Sequence, residues 1–126
     1  MKFNPLTKVS EFRLKLYPKN FEKSKSFYKD LLGYPVYKEW DRGLNDKGIM
    51  FDVGNVTLEL LSPEKEFVPL QGSGVSLEVK DVHKLWDNIK DKANIIFKIR
   101  NNEWGDTSFG ISDPDGYQIT FFTKLP

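Results

Sequence analysis

Ser108-Phe109-Gly110-Ile111-Ser112, Asp113-Pro114-Asp115-Gly116 and Tyr117-Gln118-Ile119-Thr120-Phe121-Phe122 form one continuous stretch, with Trp104-Gly105 just ahead of it. It reads as two strands around a tightly specified turn. Pro114 fixes φ, Asp113 and Asp115 are placed to bond nearby backbone, and Gly116 accepts a positive φ. Residues 48–53 and 56–61 repeat this hairpin more loosely around Gly54-Asn55, a good two-residue turn. In that register Phe51 faces Leu58 and Met50 faces Glu59.

The elements ahead of each hairpin also repeat. Residues 11–17 alternate apolar and polar, the period of a half-buried strand, with Phe12, Leu14 and Leu16 on one side and Arg13, Lys15 and Tyr17 on the other. Asn20 is placed to cap a helix running to about Leu32, whose inner face is Ser24, Phe27, Tyr28, Leu31 and Leu32. Gly33 follows as the terminating residue and Pro35 blocks continuation. Residues 34–40 suggest the next strand. In the second half Val75, Leu77 and Val79 alternate with Gly74, Ser76 and Glu78. Asp81 is placed to cap a helix whose Val82, Leu85, Trp86 and Ile89 fall at i, i+3, i+4 and i+7. Residues 95–99 are a strand, and the terminal hairpin closes the unit. Each half is thus strand–helix–strand–strand–strand. The expected layout is one domain over 1–126, with modules at about 9–63 and 73–124 and a linker at 64–72. Neither half has enough core to stand alone, so the two are expected to pack together.

Composition narrows the function. A hydrophobic content of 39%, with 10 Phe, 5 Tyr and 3 Trp, supports a packed core rather than disorder. Nineteen Lys and Arg against 18 Asp and Glu leave a formal charge of +1, with no run of like charge. That argues against a nucleic-acid partner. The chain has no cysteine, which removes disulfides, thiolate zinc sites and cysteine nucleophiles. Its single histidine, His83, lies opposite the apolar face of the second helix and reads as a surface residue. The first ten residues lack the apolar core of a signal peptide, and no apolar run is long enough to span a bilayer. No membrane association is expected, and a cytoplasmic location is.

The chain resembles the vicinal oxygen chelate superfamily of glyoxalase I, bleomycin-resistance proteins, fosfomycin-resistance enzymes and extradiol dioxygenases. Phe21-Glu22-Lys23-Ser24 leading into Phe27-Tyr28-Lys29-Asp30-Leu31-Leu32-Gly33-Tyr34 is similar to that superfamily's first helix and following turn. Thr57-Leu58-Glu59-Leu60 is similar to its fourth strand, and residues 74–82 to the opening of its second module. Trp104-Gly105 with Asp113-Pro114-Asp115-Gly116 completes the likeness, closest in character to bleomycin-resistance proteins. The resemblance implies an α+β fold of two βαβββ modules, whose curled, mixed sheets form a shared concave cleft. It also implies a homodimer. In metal-using members four positions on the concave face hold a divalent cation, and these map onto Arg13, Glu59, Gly74 and Thr120. Only Glu59 is a ligand type; arginine is a permanent cation, glycine has no side chain and threonine is a poor ligand. A functional metal site normally takes at least three protein ligands. Neither metal nor other cofactor is therefore expected.

The alternation of residues 56–61 puts Glu59 in the concavity. There it either pairs with Arg13, whose guanidinium would stand where the metal does, or meets a charged ligand. Arg13, Lys15, Glu59 and Glu78 are expected to share the inner face with Tyr17, Gln118 and Thr120, a polar lining that suits a ligand-sized cleft. Trp104 either packs its loop down or stacks on a ligand; Trp40 is open to the same two roles. Phe122 is a candidate ligand wall, and Trp86 sits at core spacing. The expected ligand-binding set is Arg13, Lys15, Glu59, Glu78, Trp104, Gln118, Thr120 and Phe122, with no catalytic residue. The leading expectation is a metal-free protein that sequesters a small cationic or aromatic molecule. The alternatives are a divalent-metal-dependent lyase or dioxygenase of the glyoxalase type, and a regulatory or interaction domain.

Overall fold

The computed structural model describes residues 4–62 and 72–126. All but Gly72 of the expected linker at 64–72 lies outside them. A single turn of 3-10 helix at Pro5–Thr7 precedes β1 (Arg13–Leu16), α1 (Phe21–Ser26), β2 (Val36–Asp41), β3 (Lys47–Asp52) and β4 (Thr57–Ser62). The second module has β5 (Gly74–Glu78), α2 (Val82–Ile89), β6 (Asn94–Asn102), β7 (Asp106–Ser112) and β8 (Gln118–Lys124). The strands make two four-stranded sheets of the same order, β1-β4-β3-β2 and β5-β8-β7-β6. In each the first and last strands of the module pair in parallel and the rest antiparallel. The βαβββ repeat and the α+β class are as the sequence indicated. The expected curling is not: neither sheet is strongly curled.

Local chemistry sets the helix starts. Asn20 Oδ1 accepts from the Lys23 N–H at 3.0 Å, and Asp81 Oδ1 from the Lys84 N–H at 3.1 Å. Each satisfies an N–H left over by the first turn. The first helix does not stay α to its end. Phe27–Leu31 form a wider π turn, in which the Leu32 N–H donates to the Phe27 carbonyl at 3.0 Å. The Tyr34 N–H then reaches back to the Tyr28 carbonyl at 3.1 Å. Gly33, at φ 71°, supplies the left-handed residue this closure needs. Phe27 and Tyr28 meet edge to face, with centroids 4.9 Å apart.

One core cluster draws on both modules: Ile49, Phe51, Leu58 and Leu60 from the first sheet, Phe109, Ile111, Ile119 and Phe121 from the second, with Tyr28, Val82 and Ile89 from the helical segments. Full burial of such side chains stabilises by about 1.5–3 kcal/mol each. Trp86 packs on Phe109 at 5.1 Å and is structural, as its spacing indicated.

A polar contact also joins the modules. The Tyr28 hydroxyl donates to Asp113 Oδ2 at 2.8 Å, and the pair is buried. Asp113 Oδ1 accepts from the N–H groups of Asp115 and Tyr117, both at 2.9 Å, which shapes the turn the sequence marked out. Burial raises the Asp113 carboxyl above its usual range, while the Tyr28 bond and the two backbone bonds pull it down. Ionising Asp113 therefore costs the folded state. Its contribution to stability is full below the ordinary carboxylate value and is lost as pH rises through the raised one. Tyr28→Phe removes a donor that favours the ionised form. It should destabilise by about 1.5–3 kcal/mol at neutral pH, as expected for a hydrogen bond to a charged group, and by much less once Asp113 is protonated. Urea denaturation of both proteins at neutral and acid pH measures this; an equal loss at both would show that the carboxylate is not the source.

Candidate functional site

The first sheet presents a charged row. Its register places Lys15 beside Glu59, Glu59 beside Met50 and Met50 beside Lys38, all on the face away from the core. Glu59 is only 7% exposed and has no hydrogen bond or ion pair among the described residues. The Arg13 guanidinium does not pair with it. Arg13 forks onto Glu11 instead, Nε to Oε1 at 2.8 Å and Nη2 to Oε2 at 3.3 Å. That bond is the main cause raising the Arg13 pKa; Glu59 adds only a weaker attraction. The reason is geometric: the strand pairing sets Lys15, not Arg13, beside Glu59, while Glu11 lies two residues back along the same chain. Trp40, half-buried, lies over Gly48 at the outer end of this sheet, between Lys38 and Arg42.

The matching face of the second sheet is nearly neutral and rich in rings. Gly74, Ser76 and Glu78 pair with Gln118, Thr120 and Phe122. Ser76, Gln118, Thr120 and Phe122 line a cleft of about 420 Å³ together with Phe97, Arg100, Trp104, Asp106 and Ser108. A second cleft of about 490 Å³ continues it toward Ser73, Ile96 and Gly116 and shares Ser76, Gln118 and Thr120. The Trp104 ring is 73% exposed, yet its Nε1 donates to Asp106 Oδ2 at 3.1 Å, so the exposed ring is oriented. Asn102 ties the floor together, donating to Ser108 Oγ and Asp106 Oδ1, both at 2.7 Å. The Arg100 guanidinium lies over the Phe97 ring at 4.4 Å and donates from Nε to Asn102 Oδ1 at 3.1 Å.

Of the eight residues singled out from sequence, Trp104, Gln118, Thr120 and Phe122 therefore share one cleft. Arg13, Lys15 and Glu59 belong to the other sheet and line neither second-sheet cleft. Glu78 is exposed, 3.9 Å from Lys124. Phe97 and Arg100 were missed. The plain alternation of Ile95, Phe97 and Ile99 points all three inward. Irregularities in the β6–β7 pairing on either side of Phe97 break that phase, so Ile95 sits opposite Ile111 and Phe97 opposite Gly110. Gly110 was the available signal. A glycine inside an apolar strand marks a close approach, and a Cβ there would lie 2.3 Å from the Phe97 ring.

The four metal-site positions of the superfamily do not fit a divalent cation. Arg13 is spent on Glu11. Gly74 offers no ligand, and even a Cβ there would meet the Gln118 carbonyl oxygen at 2.8 Å. Among the described residues no three His, Cys, Asp or Glu side chains converge as a metal set.

The sequence model of the Glyoxalase/Bleomycin resistance protein/Dioxygenase superfamily matches residues 12–121. The chain belongs to this superfamily. It is 30% identical over 130 residues to the uncharacterized protein YraH of Bacillus subtilis, a match covering 90% of this chain and 97% of that protein. Among solved structures it is similar to TnmS3, an antibiotic binding protein from Streptomyces sp. CB03234, at 20% identity and TM-score 0.71, covering 94% of this chain and 98% of that one. It is also similar to a lactoylglutathione lyase from Agrobacterium tumefaciens, at 17% identity and TM-score 0.69, covering 92% and 94%. At such identities the structural likeness establishes the fold. Among the described residues, no helix is long and apolar enough to cross a membrane.

Among the described residues Glu59 has no hydrogen bond or ion pair to lose, only a weak attraction to Arg13. Glu59→Gln, which keeps its shape and removes the charge, is expected to leave stability within about 0.5 kcal/mol of wild type or to raise it, since no buried ion pair is broken. Thermal unfolding in a low-salt buffer checks this; a loss of several kcal/mol would show that Glu59 is paired.

Proposed function

We propose that the protein binds a small, flat aromatic molecule, without a metal, in the cleft on the face of its second sheet. The observation that carries this reading is the lining. Three aromatic rings, Phe97, Trp104 and Phe122, stand around the neutral hydrogen-bonding groups of Ser76, Gln118 and Thr120. The combination of apolar walls with a few placed polar groups is that of small-molecule sites, and a volume of about 420 Å³ lies in their usual range. Arg100 and Asp106 both line the cleft, so the walls favour aromatic character in the ligand over positive charge. The antibiotic binding protein TnmS3 shares this fold, and sequestration asks nothing of the protein beyond such a cleft.

A metal-dependent lyase or dioxygenase has less support, because the positions that would hold the cation supply one carboxylate between them. As part of the same proposal the protein is a homodimer. The exposed apolar side chains Tyr37 and Leu44 support that reading, and light scattering on the purified protein tests it.

Titration with a panel of uncharged polycyclic compounds such as anthraquinones, read by calorimetry, tests the binding. Trp104→Ala and Phe122→Ala should each weaken a binder by up to about tenfold, the loss of one stacked ring, and the exposed Trp104→Ala should not change thermal stability by more than about 0.5 kcal/mol. Wild-type affinity in both variants would place the ligand elsewhere and sink the reading.

A further inference from the structure

A different cavity lies on the core side of the sheets, where the two modules meet. It has a volume of about 380 Å³. Leu14 and Leu58 wall it from the first module, and Val75, Leu77 and Ile119 from the second. Phe12, 58% exposed, stands at its rim. No charged side chain lines it. It opens to solvent at this rim, and its volume lies in the usual range of small-molecule sites. It is roughly two and a half times the volume of an apolar cavity known to take up benzene.

Ser76, shared with the sheet-face clefts, and three tyrosines are the polar side chains of this otherwise apolar lining. Tyr34 and Tyr117 both face the cavity. No hydrogen bond joins either hydroxyl to another described residue. The third tyrosine of the lining, Tyr28, has its hydroxyl committed to Asp113. Burial pushes the Tyr34 hydroxyl up to about 12, so it remains protonated, and a donor, at any ordinary working pH. A hydroxyl facing an apolar space has a hydrogen bond to offer whatever enters it. Walls so largely apolar hold water poorly, so a ligand atom is the fitting partner.

We propose that this junction cavity is a second binding site, for a small, uncharged, mostly apolar molecule carrying a hydrogen-bond acceptor such as a carbonyl or ether oxygen. The walls exclude ions because nothing there neutralises a charge. The two hydroxyls select an acceptor over a pure hydrocarbon. Because the lining comes from both modules, an occupant bridges them and stabilises their packing by mass action.

The probe is propionyl-dimethylaminonaphthalene, an uncharged bicyclic dye with one carbonyl, whose emission moves to the blue when it leaves water. Wild-type protein should bind it saturably, one to one, with a blue shift and a rise in Tm. Val56→Phe, which fills the cavity from its wall, should abolish this. Tyr34→Phe and Tyr117→Phe keep the shape and remove the donors; at least one should weaken binding by about fivefold, the worth of one neutral hydrogen bond. Trp104→Ala, in the sheet-face cleft, should leave it unchanged. Circular dichroism confirms folding of each variant, and if Val56→Phe does not fold the two tyrosine variants decide. The proposal is overturned if wild type shows no saturable blue shift, if Val56→Phe folds and still binds as wild type, if both tyrosine variants bind as wild type, or if binding is lost in Trp104→Ala. That last result would place the probe in the sheet-face cleft and so favour the other site. The variants that test the two sites are disjoint, so failure at one leaves the other standing.

Discussion

A buried carboxylate links the two modules of this fold through one directed hydrogen bond. Asp113 begins as a local device: its Oδ1 accepts two backbone N–H groups and folds the turn that joins β7 to β8. Its second oxygen is then aimed at the first module, where the Tyr28 hydroxyl meets it at 2.8 Å. Burying a carboxylate is costly, and three donors offset that cost. The arrangement demands that α1, the π turn after it and the terminal hairpin all be correctly placed at once. The apolar core supplies most of the stabilisation, but hydrophobic contact is not directional. The Tyr28–Asp113 hydrogen bond is, and it adds a directional contact between the modules.

The two modules share a framework and differ in what they display. Both sheets have the same strand order and the same mixed pairing. Even the irregularity in the first antiparallel pair recurs, between Val36 and Lys38 in one and between Ile95 and Phe97 in the other. The pairing therefore aligns the row Lys15, Glu59, Met50, Lys38 with the row Ser76, Thr120, Gly110, Phe97. The first row is charged and the second is neutral, with an aromatic ring over a glycine. The repeated framework thus presents two equivalent surfaces with different side chains. The four positions to which the resemblance maps the superfamily's cation hold one carboxylate, one guanidinium paired to Glu11, one hydroxyl and no side chain at all.

Membership of this superfamily fixes the scaffold and leaves the chemistry open, since the same fold serves an antibiotic binding protein and a lactoylglutathione lyase. The side chains on the sheet face decide between such uses. Here they form stacking surfaces and neutral hydrogen-bonding groups. The salt links Glu11 with Arg13 on the first sheet and Glu78 with Lys124 on the second lie at the exposed surface and are worth little.

Much of this was legible in the sequence, for a physical reason: the legible features are set by neighbours along the chain. Asn20 and Asp81 cap their helices because the N–H groups they satisfy lie three residues away. Gly33 ends its helix because a positive φ is cheap only for glycine. Phe51 faces Leu58 because a short turn leaves the hairpin little choice of register. In the site, Trp104, Gln118, Thr120 and Phe122 came together because strand alternation places three of them on one face and a short loop brings the fourth. What only the tertiary structure decided depends on partners far apart in sequence, or on breaks in periodicity. Two irregularities in β6 turned Phe97 toward the cleft, against its apparent phase. The pairing of β1 with β4 set Lys15 rather than Arg13 beside Glu59, leaving Arg13 to Glu11. Division into two separate four-stranded sheets kept Arg13, Lys15 and Glu59 apart from the aromatic cleft. The cavity between the modules exists only because two separately legible halves meet imperfectly, and no local pattern of residues encodes the shape of the space left between them.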